Sequence, residues 1–383
     1  MAISLIPNFR FSASVIDNGK LSVANGLRGR AVQAFADRLY LSDGGAFLIT
    51  GYRGVGKTTF VQDALKCLKE NLKAESKEGG ERVLLDVCIN IARPITGVEL
   101  MHGILRQLYS RLGELQLLRR LPKPLHSQIK LAFLRTSAML AFKNSEESEA
   151  GISIEKWLSF SSKITHGYSR DLNYLAYDER SAENDLIALA QKLSHGFTPR
   201  GPYGLPQPFA HPLRLKLLFV FDELDKIDEA KGSIASLTEI LQTLKTLFTT
   251  SGISFIFVAG RSLHERWLQD VQRGDSVFES VFSESRYLPA VWNQVDDLCD
   301  PFLANIRQLS DYDRQLYTDF KRHLAFTGRG IPRRIIRGFH ERVRWDGECA
   351  TLALSENDRR QMRFHAELYQ LLSQSEAQVL GEN

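Results

Sequence analysis

The segment Gly51-Tyr-Arg-Gly-Val-Gly-Lys-Thr-Thr59 constrains this chain more than any other stretch. It follows the apolar run Ala46–Thr50, which reads as a buried strand. It precedes Phe60, Val61, Ala64, Leu65, Leu68 and Leu72, which recur at helical spacing with no proline between Lys57 and Ala74. Strand, glycine turn and helix in that order match the pattern GxxxxGK[ST] through Gly51, Gly56, Lys57 and Thr58, and Gly54 adds backbone freedom. Without Cβ atoms in the way, successive backbone N–H groups can point at a polyphosphate, and the positive end of the following helix favours the same anion. Gly51, Arg53, Gly54, Val55, Gly56, Lys57, Thr58 and Thr59 are therefore the candidate cradle for a nucleoside triphosphate. Lys57 is expected to reach the β- and γ-phosphates, and the Thr58 hydroxyl to ligate Mg²⁺.

A second apolar run, Leu215–Phe221, ends in Asp222-Glu223-Leu-Asp225-Lys226. Acids at the carboxyl end of such a strand lie where ligands collect in open α/β sheets. Asp222 is the candidate to hold Mg²⁺ through water, and Glu223 to polarise the water that attacks the γ-phosphate. The same pair is also able to cap a helix, and Asp225 and Lys226 suit a surface ion pair at least as well as a catalytic role. Arg82–Asn90, Ile253–Ala259 and Arg286–Val291 complete a predicted five-stranded parallel sheet with helices on both faces, an α/β fold.

More than a hundred residues separate the second strand from the acidic one, far more than a simple crossover needs. Gly97–Leu118, Leu125–Phe142 and Ser181–Leu193 read as helices, Asn144–Ser169 is polar and weakly patterned, and Phe197–Pro212 reads as an exposed loop. After Val291 three apolar faces recur at helical spacing, and Ser355 with Asp358 resembles a capping box opening a last helix. The expected organisation is an N-terminal segment 1–20, a core 21–291 interrupted by a helical insertion at about 115–212, and a helical lid 292–383.

The Gly51–Thr59 loop, the Phe219–Lys226 strand end and Gly330-Ile-Pro-Arg-Arg334 together resemble P-loop ATPases of the AAA+ and STAND group, over residues of about 20 to 345. The resemblance implies ATP with Mg²⁺ as ligands and ATP hydrolysis as the activity. It implies an adenine-facing segment within Leu21–Arg30, a sensor at Arg261 or Ser262, and a second sensor at Arg333 bridging the lid to the γ-phosphate. Pro332 also suits the plain start of a helix with solvated arginines. Arg273 and Arg286 lie in the interval expected for an arginine finger, but neither sits in a diagnostic pattern. By the same resemblance the chain is expected to be a homo-oligomeric switch acting on a protein partner or effector on a separate chain, with bacterial or antiviral defence as one setting.

Composition narrows the alternatives. Lys plus Arg is 49 against 45 for Asp plus Glu, a net of +4, so any nucleic-acid surface has to be local. Arg119–Lys143 and Lys321–Arg344 are the stretches able to supply one, which makes a nucleic-acid-dependent loader or remodeller the alternative reading. No apolar run approaches the ~20 residues that cross a bilayer, and no secretory signal opens the chain. Cys67, Cys88, Cys299 and Cys349 are widely spaced. These features lead to the expectation of a cytoplasmic protein without a membrane partner.

Overall fold

Leu213–Asp222 is apolar at seven of its ten positions, and its unbroken run Leu217–Phe221 is wholly buried, as a strand covered on both faces has to be. In the computed structural model, which describes residues 2–6, 27–91, 95–147, 177–201, 211–224, 233–273, 277–290, 292, 295–304, 309–345, 347 and 349–380, this segment lies inside a five-stranded sheet. The strands in chain order are β1 (Ala2–Ser4), β2 (Gly45–Gly51), β3 (Glu81–Asn90), β4 (Leu213–Asp222), β5 (Ile253–Val258), β6 (Phe282–Leu288), β7 (Val343–Trp345) and β8 (Ala350–Ala353). The chain forms two compact units, one of residues 1–35, 50–64 and 287–383 and the other of residues 36–49 and 65–286.

The larger unit is organised by the sheet, in the order β3-β4-β5-β2-β6. The pairings β3–β4, β4–β5 and β5–β2 are all parallel. The expected α/β class is the one observed. The register aligns the carboxyl ends: Asn90 pairs with Asp222, Phe221 with Phe257, and Ile49 with Val258. Phe219, Phe221, Phe248, Phe255 and Phe257 fill the interior, with ring centroids 4.9 Å apart for Phe221–Phe257 and 5.0 Å for Phe248–Phe255.

The last strand of the sheet differs from the sequence reading, which places it at Arg286–Val291. It begins at Phe282 and ends at Leu288. Its interior, Ser283–Arg286, is polar because β6 is an edge strand, and Pro289 has no N–H with which to continue the ladder. Val291 lies outside the described residues.

The helices expected in the insertion form at Gly97–Glu114, Lys123–Glu147 and Glu179–His195. The first is opened by a capping box in which the Thr96 hydroxyl accepts the Glu99 N–H at 3.2 Å and the Glu99 carboxylate accepts the Thr96 N–H at 3.1 Å. It stops short of the expected Leu118 because Gln116 turns left-handed at φ 56°, after which Leu117–Arg119 forms a single 3₁₀ turn. Leu112, Leu121, Leu125, Ile129 and Leu186 belong to one buried cluster with Leu85, Val87 and Phe219. The inserted helices thus extend the core of the sheet. Most of Asn144–Ser169 and the middle of Phe197–Pro212 lie outside the described residues.

The smaller unit is mainly helical from residue 295 onward, with helices Asp311–Gly328, Pro332–His340 and Glu356–Leu380. Phe302, Phe320, Leu324, Ile335 and Phe339 pack at its centre. The Ser355–Asp358 capping box forms, with the Asp358 N–H donating to the Ser355 hydroxyl at 3.2 Å and the Ser355 N–H to the Asp358 carboxylate at 3.1 Å. An antiparallel sheet, β1-β8-β7, is an addition to the expected lid. Its strands of three to four residues are too short to show an alternating pattern in sequence. Among the described residues no helix is long and apolar enough to cross a membrane, and all four cysteines are free thiols.

Truncating Phe255→Ala opens a void inside the phenylalanine cluster and is expected to cost about 3–5 kcal/mol of stability, read as a lowered urea midpoint with unchanged slope.

Candidate functional site

Every glycine of the loop stands where a side chain is strained. Gly51, Gly54 and Gly56 have φ values of 151°, 85° and 94°. A Cβ on Gly51 would lie 2.7 Å from the Leu288 carbonyl oxygen, and one on Gly54 would lie 2.8 Å from the Arg333 Cβ. Val55 between them is fully buried and anchors the turn. Lys57, only 7% exposed, is the first residue of the helix Lys57–Gly79. Its ammonium folds back to donate to the carbonyls of Gly51 at 3.1 Å and Tyr52 at 3.3 Å. Thr58 and Thr59 follow in the first turn of that helix, and Arg53 sits exposed at the tip of the loop.

Three further loop carbonyls are also taken. Gly56 accepts the Phe60 N–H at 2.9 Å, and Gly54 accepts the Arg333 N–H at 3.2 Å. Val55 accepts from the Arg28 guanidinium at 2.7 Å. Arg28 donates its other arm to the Pro289 carbonyl at 2.9 Å. It is 8% exposed, and burial pushes its pKa down to about 10, which still leaves it charged at neutral pH.

Sequence reasoning did not single out Arg28, which lies inside the expected adenine-facing span Leu21–Arg30; residues 21–26 of that span lie outside the described residues. A signal exists in the periodicity. Arg28 occupies the same stripe as Val32, Phe35 and Leu39, all buried on the helix Leu27–Leu41. A cation on the apolar stripe of a helix has to have a polar destination.

Arg333 is the second residue of the helix Pro332–His340, whose buried face is Ile335, Ile336 and Phe339. The structure brings its backbone to the loop, while its side chain is exposed.

In the sheet unit, Asp222 closes β4 and its carboxylate accepts the Glu223 N–H at 2.7 Å. Its carbonyl accepts the Ile91 N–H at 2.9 Å, which ties the strand end to β3. Glu223 is left-handed at φ 64°, an uncommon conformation for a residue with a Cβ. Arg261 opens the helix Arg261–Arg273, three residues beyond β5, and Ser262 follows it. Arg261 is half exposed and donates to Glu265 at 2.6 Å. Acid pair and arginine thus stand at the carboxyl ends of neighbouring parallel strands. Of the two finger candidates, Arg286 bonds Glu284 on its own strand at 2.8 Å. Asp225 and Lys226 lie outside the described residues.

The two basic stretches are partly neutralised, mostly by acids from other parts of the chain. Arg120 pairs with Glu81, and Arg135 with Asp185. Lys321 is buried against Asp296 and Asp300, Arg342 pairs with Asp358, and Arg337 with Glu341. Arg333, Arg334 and Arg337 remain exposed together on one short helix.

No protein-family model matches this sequence, and no curated protein matches it. Among solved structures, the chain is similar to the ORC1 protein of Aeropyrum pernix in complex with DNA, with 12% identity, a TM-score of 0.44 and coverage of 90% of this chain and 68% of that one. The ORC2 protein of the same organism, in its ADPNP–ADP complexes, gives 15% identity, a TM-score of 0.40 and the same coverages of 90% and 68%. A Walker-type ATPase of Pyrococcus abyssi gives 13% identity and a TM-score of 0.35 over 82% of this chain and 71% of that one.

Replacing Arg28 by Met leaves the Val55 and Pro289 carbonyls without their donor. The expected loss is about 1–3 kcal/mol of stability. Retention of wild-type stability by the Arg28→Met variant in chemical denaturation would show that the two bonds are dispensable.

Proposed function

We propose that this chain is a P-loop ATPase that binds ATP with Mg²⁺, hydrolyses it to ADP and phosphate, and uses the cycle to switch the conformation or assembly of a larger complex. The observation that carries the reading is the loop: three positive-φ glycines turn the chain from β2 into a helix opened by Lys57 and Thr58, and its carbonyls are bonded away from the turn. That backbone suits an oxyanion, and a side chain on Gly51 or Gly54 has no room. The Thr58 hydroxyl and the Asp222 carboxylate, the two sequence-predicted ligands, are hard oxygen donors of the kind that would hold Mg²⁺, which would neutralise charge on the phosphates.

In this reading Lys57 exchanges its bonds to Gly51 and Tyr52 for the β- and γ-phosphates. Glu223 accepts a proton from the attacking water while the new P–O bond forms and the β–γ bridging bond breaks, its electron pair leaving with ADP. Arg261 and Arg333 are the candidates to stabilise charge on the transferred group. The Arg333 N–H bond to Gly54 supports a coupling between the helix Pro332–His340 and the occupancy of the loop, since a ligand that alters the loop alters that bond. A homo-oligomeric assembly, an effector on a separate chain and a role in bacterial or antiviral defence are the finer parts of the proposal, and they rest on the sequence resemblance.

Turnover is the test. Lys57→Ala is expected to weaken ATP binding, and Glu223→Gln to retain binding while steady-state hydrolysis falls by about 10²-fold or more. Equal turnover in wild type and Glu223→Gln would remove Glu223 from the chemistry.

The exposed Arg333, Arg334 and Arg337 favour one second reading, a nucleic-acid-dependent form of the same ATPase. It predicts DNA or RNA binding that weakens steeply as salt rises, and a shallower log–log slope for Arg334→Gln combined with Arg337→Gln. Salt-independent binding, or none, removes it.

A further inference from the structure

Far from the acid pair, the start of the sheet carries charge that a covered parallel sheet does not ordinarily hold. Arg82 on β3 stands directly opposite Arg214 on β4, and Lys216 follows two residues later. The two-residue period of a strand puts all three cations on one face. Ser254 of β5, in register with Leu218, shares that face and is buried. Like charges directly opposite one another are unfavourable in a sheet, and here solvent reaches Arg214, which is exposed, more than Lys216.

Protein groups compensate these charges only in part. Glu75 pairs with Arg82 at 2.9 Å. Lys216 donates to the Ser42 carbonyl, which is neutral, and Arg214 has no carboxylate partner among the described residues. Burial, reinforced by the charge of Arg82 and opposed by Asp43, holds the Lys216 ammonium below its ordinary pKa. The three cations, with Ser42, Asp43 and Ser254, line a cavity of about 240 Å³.

We propose that this cavity binds a small phosphate-class oxyanion, either inorganic phosphate or the phosphate group of a small phosphorylated molecule. A guanidinium fork and an ammonium on one wall match a tetrahedral oxyanion. The volume is below the roughly 300 Å³ at which pockets for drug-sized ligands begin, which selects a small anion over a whole nucleotide. The site is also separate from the proposed chemistry. Arg214 and Asp222 lie eight residues apart on β4, about 26 Å at 3.3 Å per residue. The proposal therefore stands whether or not the chain hydrolyses ATP.

The experiment titrates inorganic phosphate, and in a second arm glycerol phosphate, into the full chain at constant ionic strength with chloride as the balancing anion. Thermal shift, calorimetry and acylation of the Lys216 amine followed by mass spectrometry provide the readouts. Saturable binding is expected to protect Lys216 from acylation. It is expected to persist in Lys57→Ala and to weaken at least tenfold in Arg214→Gln, an exposed position that leaves the core intact, and further when Lys216→Met is added. Tighter binding of glycerol phosphate identifies the phosphorylated molecule as the source, and equal or weaker binding identifies free phosphate. No saturable binding, binding unchanged in Arg214→Gln with Lys216→Met, or binding lost only in Lys57→Ala overturns the proposal.

Discussion

A tight glycine turn cannot pair its carbonyls within itself and has to find donors for them elsewhere, because a buried carbonyl without a donor is costly. In the Gly51–Gly56 loop that requirement recruits donors from three places. The Lys57 ammonium takes Gly51 and Tyr52, the Arg28 guanidinium takes Val55, and the Arg333 N–H takes Gly54. Glycine supplies the conformation, but these donors fix it. The dependence also runs outward. Arg28 can be buried because Val55 and Pro289 accept from it, and the start of the helix Pro332–His340 gains a partner for an N–H that the helix itself leaves unused.

Local patterns were legible in the sequence where one short segment carries the whole signal. The loop, the apolar run of β4 and the Ser355–Asp358 cap are cases in which neighbours along the chain determine the structure. The edge strand β6 begins earlier than its apolar residues suggest, because half-exposed polar residues carry no hydrophobic signature, and the sheet β1-β8-β7 leaves no pattern because it joins three-residue and four-residue strands across most of the chain. Arg28 belongs to the same class of omission. Its position on the apolar stripe was readable, but its acceptors are separated from it by 27 and 261 positions.

Charge was the property least legible from sequence. Arg119–Lys143 contains no acid of its own, yet Glu81 and Asp185 reach two of its arginines from other elements. In Lys321–Arg344 the burial of Lys321 between Asp296 and Asp300 turns an apparent surface cation into a support for the core. Breaking such a buried pair on one side is far more damaging than its net contribution, since it strands a charge. The exposed arginines of the Pro332–His340 helix differ in kind, because solvent already stabilises them and the Arg337–Glu341 pair at the surface adds little.

Glu223 shows a local conflict of the opposite sort. The left-handed region costs a residue with a Cβ roughly 1–2 kcal/mol, and neither glycine nor asparagine stands there to relieve it. The Asp222 carboxylate offsets part of that cost by accepting the Glu223 N–H at 2.7 Å, a charge-assisted bond stronger than a neutral one. The bond uses one oxygen of Asp222 and positions the next residue's side chain by way of its backbone. The two acids are therefore coupled: removing the Asp222 carboxylate both deletes a metal-ligand candidate and releases Glu223 toward conformations that an ordinary glutamate prefers. A change at Asp222 is for that reason also a change at Glu223, so the effects of substituting the two residues should be less than additive.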